Sequence, residues 1–83
     1  MDSRVAIIAV IIENPDSAGR FNEILHEYSG YIIGRMGIPY RNRKINIVSV
    51  AVDAPRDIIN SLAGKIGRLD GVSAKTLYSD VTE

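Results

Sequence analysis

The sequence predicts an α+β domain built in the order βαββαβ. Three observations predict it. Two long β-branched runs, residues 5–12 and 45–52, have the length and composition of strands. Each is followed by an asparagine or aspartate, a proline and an apolar stripe at helical spacing. Each stripe ends near a glycine, and a further short strand pattern follows it.

The first run, Val5 through Ile12, is continuous and apolar. Asn14-Pro15-Asp16 stops it and supplies a cap, a proline suited to the first helical position and an acid at the positive helix start. Ala18, Phe21, Ile24, Leu25 and Tyr28 form the first helical stripe, which Gly30 closes. Residues 31–38 read as a second strand, weakened by Gly34 and Gly37, with Pro39 ending it or marking an edge. Arg41-Asn42-Arg43-Lys44 is a polar turn before the third strand. Asp53-Ala54-Pro55 opens a second helix with the stripe Ile58, Ile59, Leu62, Ile66 and Leu69, closed by Gly71. Residues 72–78 are the fourth strand, and residues 79–83 are expected to fray. Two right-handed crossovers in one antiparallel sheet give the ferredoxin-like arrangement, a sheet of order 4-1-3-2 with both helices on one face. That order centres the two most apolar strands and puts the glycine- and charge-bearing ones at the edges.

Composition narrows the function classes. At 83 residues the chain is expected to form one domain over 1–83. Ten basic residues balance ten acidic ones, so no global field attracts nucleic acid or anionic lipid. The absence of cysteine excludes disulfides, thiolate metal sites and thiol nucleophiles, and suits the cytoplasm. The longest apolar run is too short to span a bilayer, so no membrane role is expected.

The apolar pattern also points to a partner. With both helices on one sheet face, the other face of a monomer should carry alternating polar residues. Instead Val5, Ile7 and Ile11 point one way in the first strand while Ile8, Val10 and Ile12 point the other. The third strand repeats this, with Ile45 and Ile47 opposite Val48, Val50 and Val52. One apolar set has no cover within the chain, which predicts a homo-oligomer, a dimer or tetramer, stacked through the sheet or joined at its edges.

Chemistry is sparse. The single histidine, His26, sits among Glu23 and Glu27 on a helix and reads as a solvated position, not a metal ligand. The segment Gly34-Arg35-Met36-Gly37 has neither phosphate-loop nor dinucleotide spacing. Its glycines fit an edge-strand bulge or a close approach to a ligand or second subunit. Arg35, Arg41, Arg43 and Lys44 make a local basic run, but the third strand lacks the aromatics of an RNA-reading sheet, so direct nucleic-acid binding is not expected. Arg35 is the best donor for a carboxylate or phosphate. Asn14 caps the first helix or touches a ligand at its start. The candidate ligand-binding residues are therefore Asn14, Gly34, Arg35 and Gly37; no catalytic residue, metal or cofactor is expected.

The string Leu25 to Tyr40 (LHEYSGYIIGRMGIPY) closely resembles the signature of a small family of iron-only hydrogenase system regulators. The segments Val52-Asp53-Ala54-Pro55 and Leu69 to Thr76 are similar to that family as well. The resemblance implies an ACT-like fold, similar to the C-terminal domain of nickel-responsive repressors, in an oligomeric bacterial cytoplasmic protein that regulates hydrogenase expression or assembly. Nickel-responsive domains use several histidines and a cysteine, so His26 alone does not support their metal site. Amino-acid-binding ACT domains often place glycine after the proline of the first turn, where this chain has Asp16. Only Met1 to Arg4 precede the first strand, so a transcriptional effect is expected to need a regulatory protein partner.

The expected function is a regulatory ACT-like domain that binds a small effector or a partner at a homo-oligomer interface. The alternative is a structural interaction domain without a ligand. An enzyme such as an acylphosphatase on the same fold would need an arginine in the first strand–helix turn, and residues 13–18 contain none.

Overall fold

A computed structural model describes residues 3–80. Strand β1 (Ser3–Ile12) leads through a short 3-10 turn to helix α1 (Ala18–Glu27). A second 3-10 turn, Ser29–Tyr31, feeds β2 (Ile32–Tyr40); β3 (Ile45–Pro55), helix α2 (Arg56–Gly67) and β4 (Val72–Tyr78) complete the chain. The strands form one antiparallel sheet in the order β2-β3-β1-β4, which is the expected order 4-1-3-2 read from the opposite edge.

Period-2 alternation sorts β1 into two faces. Ala6, Ile8, Val10 and Ile12 are buried, while Val5, Ile7, Ala9 and Ile11 are exposed. On β3 the partners of Val10, Ile8 and Ala6, namely Val48, Val50 and Val52, are buried too, as is Ala54. The helices cover this inner face. Phe21, Ile24 and Leu25 enter the core from α1, and Ile59, Leu62 and Ile66 from α2.

Three boundaries differ from the sequence reading, each for a local reason. β3 runs on through Pro55, because Ala54 is buried opposite Arg4 and extends the ladder; α2 starts only at Arg56. Tyr31 lies in the turn and β2 continues through Pro39, which an edge strand tolerates. Ser79, expected in the frayed tail, donates its backbone N–H to the Val5 carbonyl at 2.9 Å. Residues 81–83 of that tail lie outside the described residues. Among the described residues no helix is long and apolar enough to cross a membrane.

Candidate functional site

The sheet face away from the helices is apolar at its centre. β1 contributes Val5, Ile7 and Ile11, and β3 contributes Ile47; all are more than two-fifths exposed. Register places the edge strands' large side chains beside them. Met36 pairs with Ser49, Ile38 with Ile47, Tyr40 with Ile45 and Leu77 with Ile7. Met36 and Leu77 are 73% and 71% exposed. Eight large apolar side chains on this face, at about 200 Å² for each fully exposed chain, leave roughly 800 Å² open to solvent. Polar residues on the face are few: Ser49 in its middle, Ser73 and Lys75 on β4, and Asp53 opposite Val5.

The four residues nominated as ligand-binding occupy three separate places. Asn14 sits at the start of the first turn, where its Oδ1 accepts the Asp16 backbone N–H at 3.0 Å. Its Nδ2 donates to the Asp70 carboxylate at 2.7 Å, and Ser17 Oγ donates to the Asp70 carbonyl at 2.6 Å. Asn14 thus caps its own turn and ties it to the turn before β4. Asn14→Ala is expected to lower stability by about 1 kcal/mol, read as a shift in the urea midpoint at unchanged slope.

Gly34 follows a bulge in β2 and pairs with Ala51, so it lies on the open sheet face. Arg35 pairs with Val50 and Gly37 with Val48, both on the helix side. These two line a groove of about 270 Å³ between α1 and β2, over Phe21 and Val48. The Arg35 guanidinium lies 5.5 Å from the Phe21 ring centroid and donates to Asn22 Oδ1 at 2.9 Å. Arg35 and Gly37 therefore share a site that Asn14 and Gly34 do not reach.

The remaining candidates are surface features. His26 is exposed on α1, and Arg41 to Lys44 form the tip of the β2–β3 hairpin, with Lys44 at φ 55°. The resolved pKa shifts also lie on the helical side. Arg20 is raised by hydrogen bonds to Glu27 and Glu23, and the Tyr28 phenol is lowered, chiefly by its hydrogen bond with Ser61 and then by Lys65.

Sequence reading found the open face from β1 and β3 but missed Met36, Ile38 and Leu77 as members of it. The signal was present: Gly34, Met36, Ile38 and Tyr40 alternate along β2 with one orientation, but the two glycines hid the pattern. It also missed the Tyr78 ring, whose centroid is 5.2 Å from the Arg4 guanidinium and 4.7 Å from that of Arg56, and whose hydroxyl donates to Asn60 Oδ1.

Strand order, antiparallel pairing and the placement of both helices on one face define a ferredoxin-like α+β domain. The chain belongs to the TM1266-like family, described as candidate iron-only hydrogenase system regulators, which it matches over residues 4–76. The chain is also similar to a solved structure, the uncharacterized protein TM1266 from Thermotoga maritima, at 33% identity and a TM-score of 0.87. The alignment covers 93% of this chain and 98% of that one. No curated protein matches the sequence.

Proposed function

We propose that this chain is an ACT-like regulatory module of a cytoplasmic iron-only hydrogenase system, acting by binding at an interface between copies of itself. The open apolar sheet face is the observation that carries the reading. Burying half of it, about 400 Å² per copy, contributes roughly 10 kcal/mol per copy before association costs of about 4–15 kcal/mol. For a chain of this size, with an intrinsic stability of about 4–12 kcal/mol, a contribution on that scale matters. The hydrogenase link rests on family membership.

Whether a small effector also binds separates two versions of this function. Arg35 and Gly37, at the groove beside α1, are the best-placed residues for an anionic effector. An interaction domain without a ligand is favoured by the separation of Asn14 and Gly34 from that groove. Thermal-shift measurement at several protein concentrations, with and without amino acids, carboxylates and nucleotides, tests both. Self-association makes the melting temperature rise with protein concentration. An effector at a hundred times its dissociation constant adds about 2.7 kcal/mol. A melting temperature independent of concentration contradicts the self-association reading; no response to any compound selects the ligand-free version.

A further inference from the structure

We infer that a second copy of this chain lies face to face on the open sheet, about a two-fold axis passing near Ser49, and not alongside it at a strand edge. The inference rests on the self-association proposed above and specifies its geometry. The edges are guarded against pairing. β2 carries a register-breaking bulge between Ile32 and Gly34, and Pro39 lacks a backbone donor. The β4 edge bears Lys75. The charged residues of the face, Lys75 on the β4 edge and Asp53 toward the end of β3, leave its centre apolar, and its roughly 800 Å² matches one partner's share of a standard interface.

The relief of the face is self-complementary. Ile11, Ile47 and Ile38 stand in one cross-strand row and form a ridge. Four residues further along β3, Ala51 and its neighbour Gly34 form a shallow hollow of about 310 Å³, flanked by Ile7 and Met36. Ser49 lies midway between ridge and hollow on β3, roughly 7 Å from each at the usual rise of a strand. A two-fold axis through that midpoint exchanges them, so each copy's ridge meets the other's hollow at once, as an isologous interface requires.

Two substitutions test this without disturbing the monomer. A Cβ on Gly34 meets nothing within 4 Å, so Gly34→Leu fits the isolated fold but fills the hollow. It is expected to weaken dimerisation at least tenfold in sedimentation, with an unchanged circular dichroism spectrum. The chain has no cysteine, so Ser49→Cys introduces a single thiol. It is expected to cross-link to its own copy with a short bismaleimide, while Glu23→Cys, on exposed α1, is not. A wild-type dimer that tolerates Gly34→Leu, fails to cross-link at Ser49, or protects the outward β2 amides from hydrogen exchange would overturn the face-to-face geometry and leave self-association standing. A wild-type monomer would overturn both.

Discussion

Phe21→Ala is expected to lower the unfolding free energy by about 3–5 kcal/mol, the range for emptying a fully enclosed aromatic position. Phe21 is 1% exposed and enters the core from α1. Its ring also forms part of the groove floor and lies beneath the Arg35 guanidinium. The substitution therefore removes core contacts and the cation's aromatic support together. Against a total of about 4–12 kcal/mol, such a loss leaves the fold barely populated or unfolded at ambient temperature. Phe21→Leu keeps most of the apolar volume and is expected to lose roughly 1–2 kcal/mol. Urea unfolding at one fixed protein concentration measures both, because self-association makes apparent stability concentration-dependent. A loss under about 1 kcal/mol for the alanine variant would contradict the enclosed position assigned to this ring.

Gly71→Ala is expected to be nearly as damaging, at about 2–4 kcal/mol, although it adds a single methyl group. Two effects combine. Gly71 has φ +68°, a left-handed conformation that side chains adopt only at a penalty of about 1–2 kcal/mol. The added Cβ would also lie 2.6 Å from Asn14 Cβ and 3.0 Å from Asn14 N, so a backbone must move. The same turn accepts the Glu13 N–H on the Gly71 carbonyl at 2.7 Å, a bond that this movement strains. Adding Asn14→Gly removes the closest clash but neither the backbone contact nor the conformational penalty, so it should restore only part of the loss. That recovery, read as a coupling energy in a double-mutant cycle, distinguishes the steric cause from the conformational one. Full additivity of the two substitutions would rule out the close approach.

The elements that declared themselves in the sequence did so through periodicity and punctuation. Val5 to Ile12 and Ile45 to Val52 could only be central strands, and the Asn14-Pro15 turn carried its helix-start chemistry in its own residues. The two faces of β1 and β3 followed from simple alternation, as did the expectation that one apolar set lies uncovered, though not which one. What could not be read was cross-strand register. Leu77 joins the open face because it pairs with Ile7, and Met36 because it pairs with Ser49. The Met36 pairing follows a bulge at Ile32–Gly34, which the glycines allowed but did not place. Gly34 and Arg35, adjacent in one strand, lie on opposite sides of the sheet by simple alternation, so they could not share one site. Asn14 was open to capping or to a ligand; it caps its turn, and its bond to Asp70 spans 56 residues and needs the fold to exist first.

Sedimentation equilibrium of the wild-type chain beside Met36→Lys puts the greasy side of the sheet to the most direct trial. Met36 is largely exposed, so the charge should leave the isolated subunit folded while burdening any contact that buries it. The expected result is a wild-type mass at least twice that of one chain at micromolar concentration, and a single-chain mass for the lysine variant with an unaltered circular dichroism spectrum. A wild-type protein that sediments as one chain throughout that range would contradict self-association, and the regulatory reading built on it.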